Sequence, residues 1–147
     1  MRIALAGNPN SGKTTLFNAI TGQVEHVGNW PGVTVAKKEG NVKKELYQGE
    51  ETLRVVDLPG AYSIAPFTSE ESITSSFVKN DNLDAIINII DATNISRSLL
   101  FTTQLLELGI PVVIALNKRD LLRRKGISID TKKLSEKLHC VVIETAS

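Results

Sequence analysis

The chain reads as an α/β domain: a mostly parallel sheet of six strands flanked by helices. Three observations predict this. Short apolar runs alternate with longer helical patterns along the whole chain, as expected for a parallel sheet covered by helices. A glycine-rich turn joins the first apolar run to the first helical stretch. Polar motifs follow directly on the carboxyl ends of later apolar runs, the place where open α/β sheets bind ligands.

The elements follow in order. Ile3-Ala4-Leu5-Ala6 is the first strand, and a helix from Lys13 to about Thr21 is stopped by Gly22 as a C-cap. Residues 23–35 carry Gly28, Pro31 and Gly32 and read as a loop. The polar, partly alternating stretch from Ala36 to Tyr47 suits an exposed edge strand. Leu53 to Val56 is a buried strand ending at Asp57, and Asp84 to Ile90 is the clearest one. A helix from near Asn94 puts Ile95, Leu99, Thr102 and Leu106 on one face, until Gly109 and Pro111 end it. Val112 to Leu116 is the next strand. Asp130 is a good N-cap for a helix carrying Leu134 and Leu138, and Cys140 to Ile143 is the last strand. Only four residues follow that strand, whereas a layered α/β domain closes with a helix there. Residues 1–147 are therefore expected to form one domain of a longer protein that lacks its final helix here.

Composition narrows the class. At 147 residues the chain is long enough for one well-buried core. A net charge of +1 gives no general attraction to nucleic acid or anionic membrane. The single cysteine, Cys140, has no partner for an internal disulfide, which fits a reducing compartment. No apolar run approaches the ~20 residues a membrane span needs, so this stretch is expected to be soluble.

Gly7-Asn8-Pro9-Asn10-Ser11-Gly12-Lys13-Thr14 fits G-x-x-x-x-G-K-[ST], a phosphate-binding loop, in its required setting between a strand and a helix. Its glycines let the backbone curl so that successive N–H groups face a polyphosphate, and the following helix adds its positive end. Lys13 is expected on the β- and γ-phosphates, and the Thr14 hydroxyl on Mg2+. By average residue usage such a match arises by chance in a chain this long about once in a few hundred cases. In Asp57-Leu58-Pro59-Gly60, the aspartate at a strand's carboxyl end can hold Mg2+ through water, and the Gly60 N–H can approach a γ-phosphate. Asn117-Lys118-Arg119-Asp120 follows a strand directly. The Asp120 carboxylate can accept from guanine N1–H and N2–H, donors that adenine lacks there, and the Lys118 stem can lie over the base. Thr145, Ala146 and Ser147 can close the base pocket with backbone amides.

These motifs, in this order, make the chain similar to a translation-factor-type small GTPase domain. The resemblance narrows at Gly7–Asn18 combined with Val27-Gly28-Asn29-Trp30-Pro31-Gly32-Val33-Thr34-Val35. There the chain resembles FeoB, the family of bacterial and archaeal ferrous-iron transporters with an N-terminal G domain. Asp57-Leu58-Pro59-Gly60-Ala61-Tyr62-Ser63 and Gly126-Ile127-Ser128-Ile129-Asp130 agree with it. Lys118-Arg119 departs from the family, many members of which carry apolar residues there, without touching Asn117 or Asp120.

The resemblance implies a P-loop NTPase G domain that binds and hydrolyses GTP. The nucleotide would be held by residues 7–15, by Gly32, Val33 and Thr34, by Asp57 to Gly60, and by Asn117, Lys118, Asp120 and residues 145–147. Asn10, Lys13, Thr34 and Gly60 would act in hydrolysis, with Thr15 beside them in the loop. Mg2+ would sit on Thr14, Thr34 and Asp57. K+ would sit on the Asn10 side chain and on backbone carbonyls of Gly28 and Trp30; for Asn10 the alternative is a side chain bonding its own loop. Ala61 stands where many GTPases keep a water-orienting glutamine, so hydrolysis is expected to be slow or assisted by K+, in the manner of an arginine finger. Helical regulatory and transmembrane domains of the same protein are the expected partners, at the cytoplasmic face of the membrane, and nucleic acid is not. A soluble K+-dependent GTPase of RNA modification or ribosome assembly is the alternative, and a switch with negligible turnover a third reading.

Glu70 and Glu71 can position water, or Glu71 can form a capping box with Thr68. Trp30 reads as an exposed hinge or partner contact. His26, His139 and Cys140 read as structural.

Overall fold

The computed structural model describes residues 1–147 apart from 48, 64–68, 81, 119–120, 122–123, 127–128 and 146–147. Seven strands are described: β1 (Arg2–Gly7), β2 (Thr21–Asn29), β3 (Ala36–Val42), β4 (Arg54–Asp57), β5 (Ala85–Asp91), β6 (Val112–Asn117) and β7 (Val141–Glu144). The helices described are α1 (Lys13–Ile20), α2 (Ser69–Asn80), α3 (Ile95–Leu106) and α4 (Thr131–Leu138), with a 3-10 turn at Ala92–Asn94 before α3. All strands join one sheet in the order β2-β3-β4-β1-β5-β6-β7. Pairing is parallel from β4 to β7 through β1 and antiparallel for β2–β3 and β3–β4.

Burial follows the pleat of β1. Ile3 and Leu5 join Phe17 of α1, Val55 and Ile89 in one cluster. Ala4 and Ala6 face the other way, into a larger cluster with Phe77 of α2, Phe101 and Leu105 of α3, Ile86 and Ile114. A run buried on both faces in this way is what makes the strand read as continuously apolar.

The sheet has seven described strands rather than six because residues 21–29 are a strand and not a loop. Two glycines and no buried face hide β2 in the sequence, and its pairing with β3 shifts register twice. Hydrogen bonds to β3, not its own side chains, define it. Consequently β3 is an inner strand and β2 is the edge. Gly22 does not cap α1: the helix ends at Ile20, and both the N–H and the hydroxyl of Thr21 bond the Phe17 carbonyl. On α3 the fully buried stripe is Ser98, Phe101, Thr102 and Leu105, rotated from the expected face. Asp130 caps α4 through Oδ1 to the Lys133 N–H, and His139 ends it in the left-handed region at φ 55°. Cys140 lies half-buried just before β7, where burial pushes its thiol pKa up. Val141 and Ile143 of β7 are exposed and pair in register with Val113 and Ala115, placing them on the α1 face.

Trp30 is core, not hinge. Only 4% exposed, it meets Phe77 edge-to-face with ring centroids 5.5 Å apart, and the Lys37 ammonium lies 4.9 Å from its ring centre. Lys37 belongs to a charged group around Glu39, which is buried on β3. Glu39 takes Arg54 at 2.8 Å, Arg2 at 3.3 Å and Lys37 at 3.6 Å. Arg54 also holds Glu25 of β2 at 2.8 Å, which ties the edge strand to the sheet.

Burial by itself would raise the Glu39 pKa, but the Arg54 hydrogen bond and the charges of Arg2, Arg54 and Lys37 outweigh it and hold the carboxyl below its ordinary value. A depressed folded-state pKa contributes stability that is present above the unfolded value and lost as pH falls through the folded one. Glu39→Gln is therefore expected to destabilise the neutral-pH fold by about 1–3 kcal/mol. It should also flatten the loss of melting temperature below about pH 4.5. Thermal unfolding of both proteins from pH 7 to pH 3 checks this; parallel curves would mean that Glu39 gains nothing from its cations.

Candidate functional site

The phosphate loop leaves the sheet at Gly7, where no side chain fits. A Cβ there would lie 2.8 Å from the Ile89 carbonyl oxygen and 2.8 Å from the Ser11 hydroxyl. The loop then takes left-handed backbone at Asn10 (φ 66°) and at Gly12 (φ 92°), which precedes α1. This alternation curls the chain into a concave nest and delivers it to the helix N-terminus. Asn8, Pro9, Asn10, Gly12, Lys13, Thr14, Thr15, Gly60 and Glu70 line the resulting cavity of about 470 Å3.

Asp57 ends β4 beside the loop, and its Oδ1 pairs with the Lys13 ammonium; both side chains are about nine-tenths buried. The turn after Asp57 is bound to the end of β1 and packs on the start of the phosphate loop. Leu58 N–H donates to the Leu5 carbonyl at 3.1 Å and Ala61 N–H to the Gly7 carbonyl at 3.0 Å. Gly60 packs so closely that a Cβ would lie 3.0 Å from Pro9 Cγ. Thr74 of α2 donates to the Pro59 carbonyl at 3.1 Å.

At the carboxyl end of β6, Asn117 is fully buried and acts as a bracket. Its Nδ2 donates to the Ser11 carbonyl at 3.0 Å, and its Oδ1 accepts from the Thr145 hydroxyl at 3.1 Å. Lys118 is left-handed at φ 64°, and its ammonium donates to the Asn10 carbonyl at 2.8 Å and to Asp91 Oδ2 at 3.1 Å. Burial works to raise the Asp91 pKa, but bonds from the Thr93 hydroxyl and N–H, and from Lys118, bring it below the ordinary value. The phosphate loop and the Asn117-Lys118 motif are thus one bonded unit. Asp120, Ala146 and Ser147 lie outside the described residues, as do Thr68 and its part in the expected capping box.

The 28–34 segment is not brought to this cavity. Thr34 is exposed, Gly28 and Gly32 are exposed at φ 110° and 78°, and none of Gly28, Trp30, Gly32, Val33 or Thr34 lines it. Trp30 N–H donates to the Val35 carbonyl, and the Trp30 carbonyl accepts from Val33 N–H at 3.3 Å. The two glutamates of α2 separate: Glu70 lines the cavity, while Glu71 is buried and accepts from the Tyr62 and Ser63 N–H groups at 2.8 and 3.1 Å. Sequence reasoning gave no role to Asp91, Ser98, Asn88 or Thr102, although it placed Thr102 on one face of α3. The only signal available for these was polar residues inside otherwise apolar elements.

A phosphate loop on β1, an acidic turn after β4 and an Asn-Lys pair after β6, in this strand order, define a P-loop nucleoside triphosphatase G domain. The chain belongs to the FeoB family: the family model described as Ferrous iron transport protein B matches residues 1–147. It is similar to Fe(2+) transporter FeoB of Legionella pneumophila (strain Lens), 50% identical over 143 residues that make up 95% of this chain and 18% of that protein. It is also similar to Fe(2+) transporter FeoB of Escherichia coli (strain K12), 45% identical over 151 residues, 100% of this chain and 19% of that protein. The chain therefore spans less than a fifth of the length of these relatives. Among solved structures, the cytosolic domain of L. pneumophila FeoB matches at 49% identity and TM-score 0.90, over 99% of this chain and 57% of that one. The G domain of T. maritima FeoB matches at 37% identity and TM-score 0.87, over 99% of this chain and 87% of that one. A mutant of S. thermophilus NFeoB bound to GDP matches at 48% identity and TM-score 0.90, over 99% and 55%.

Gly7→Ala tests the geometry of the loop. The added methyl group meets backbone on one side and a buried hydroxyl on the other, so the variant is expected to lose about 1–3 kcal/mol of stability. Denaturant unfolding measures this directly; an unchanged midpoint would show that Ile89 and Ser11 give way freely.

Proposed function

We propose that this chain is the GTP-binding and GTP-hydrolysing switch domain of a ferrous-iron transporter, acting from the cytoplasmic face of the membrane. The bonded unit of phosphate loop, Asp57 turn and Asn117-Lys118 is the observation that carries the reading, and the GDP bound to the similar S. thermophilus protein supports it. The soluble RNA-modification alternative is not favoured, because the family match extends over residues 1–147.

The loop N–H groups and the α1 N-terminus hold the phosphates, and Lys13 leaves Asp57 to contact the β- and γ-oxygens. Asp120 selects guanine, the Lys118 stem covers the base, and Thr145 to Ser147 close the pocket. The donor set fits a hard divalent cation: Thr14 lines the cavity and Asp57 stands beside it, both with oxygen ligands. Mg2+ held there, with Thr34 joining, would supply positive charge against the phosphates. Ala61 has no group to orient water, so intrinsic hydrolysis is slow. Asn10 lines the cavity and would be the side-chain ligand of K+, with the Gly28 and Trp30 carbonyls completing the set. A monovalent cation held by these residues would supply positive charge against the phosphates. The helical regulatory and transmembrane domains lie in the remainder of the protein.

GTP turnover in K+ against Na+ buffer, with Asn10→Ala alongside, tests the reading. Expected is stimulation of tenfold or more by K+, lost in the variant with GDP affinity retained. Equal slow rates in both salts, with GTP bound, would remove K+ from the mechanism and leave a switch that needs an outside activator.

A further inference from the structure

The start of α3 touches both halves of the site without reaching the nucleotide cavity. On the phosphate side, Asn8 is 8% exposed, and its Nδ2 donates to the Ser98 hydroxyl at 3.3 Å. That hydroxyl has one proton, which goes to the Asn94 carbonyl at 3.2 Å, so towards Asn8 it acts as the acceptor. A second buried bridge lies one turn further on. The Thr102 hydroxyl stands 3.1 Å from the Ser98 carbonyl and 2.6 Å from Asn88 Oδ1, and Asn88 Nδ2 donates to the Ala6 carbonyl at 3.2 Å, just before the loop begins. On the base side, Asp91 holds Lys118 with Oδ2, while Oδ1 accepts from the Thr93 N–H at 2.9 Å to cap the turn that leads into α3.

We propose that Ser98 and Asp91 are positioning residues, which brace the phosphate loop and the guanine motif against one helix and so set how slowly nucleotide leaves. This rests on the nucleotide-binding reading above. The Asp91–Lys118 pair is partly exposed and holds by charge, but on the Asn8 side the brace is buried: Ser98 is 4% exposed, Thr102 0% and Asn88 1%. A polar group there that lets go of its partner finds no water to replace it. The loop cannot shift away from α3 without stranding Asn8 Nδ2, and Lys118 cannot shift without leaving the Asp91 carboxylate. Motion of α3 is thereby transmitted to both ends of the ligand together.

Dissociation of a fluorescent GDP, chased with excess GDP, tests the brace. Ser98→Ala removes the acceptor, and Asp91→Asn removes the negative charge that pairs with Lys118 while keeping an oxygen for the Thr93 cap. Each is expected to speed release about fivefold or more. Ser98→Thr, which keeps the hydroxyl, should restore the slow rate. Glu107→Gln, just past the far end of α3, should leave release unchanged. If Ser98→Ala does not fold, Asp91→Asn decides the matter. Wild-type rates in the folded variants, with GDP bound, would overturn the proposal, as would equal acceleration by Glu107→Gln. Failure of the wild type itself to bind GDP would instead overturn the nucleotide-binding reading.

Discussion

The close approach of Gly7 to the Ile89 carbonyl sets the position of everything else in the site. Parallel pairing of β1 with β5 brings these two residues into register, and the missing side chain lets the backbone turn out of the sheet over its neighbour. Once the chain turns there, the Gly7 carbonyl meets the Ala61 N–H, and the Asp57 turn is fixed against the loop. Asn117, two strands away, then needs only its own length to reach Ser11. Sheet register is thus converted into the placement of three separate motifs, and no one of them is positioned by local sequence alone.

This explains what was legible in the sequence. The phosphate loop, the Asp57 turn and Asn117-Lys118 were readable because each needs particular residue types at fixed offsets, and each sits at the end of a strand buried on both faces. Strand β2 was not readable: its glycines and exposed side chains carry no burial pattern, and its existence depends on pairing with β3 and on the distant Arg54 contact to Glu25. The same non-locality hid Trp30. In the sequence it lies between loop residues; in the fold, Phe77 from α2 and Lys37 from β3 close around it. Asn88, Ser98 and Thr102 were hidden for a related reason. A polar residue in an apolar strand or on an amphipathic helix shows its purpose only when its partner arrives from another element.

The burial of Trp30 bears on how the domain switches. The segment expected to carry Thr34 to the phosphates is held by an aromatic contact to α2, so its rest position is defined rather than loose. On the proposed function, moving it over the loop would separate or drag that contact, which would couple the 28–34 segment to α2, the helix that also carries Glu70 to the cavity and Thr74 to Pro59. Two regions of the chain that read as independent in the sequence share one apolar joint.

Charge balance gives the switch its sign. Lys13 and Asp57 are both largely withdrawn from water and compensate each other, an arrangement that avoids leaving either charge buried alone. On the proposed function, a polyphosphate entering the cavity offers Lys13 a stronger anionic partner, and a divalent cation offers Asp57 a cationic one. The pair can open only if both arrive, because either alone leaves one buried charge unmatched. Nucleotide and metal are therefore expected to bind cooperatively at this site, and the cooperativity comes from a single ion pair rather than from any rearrangement of the sheet.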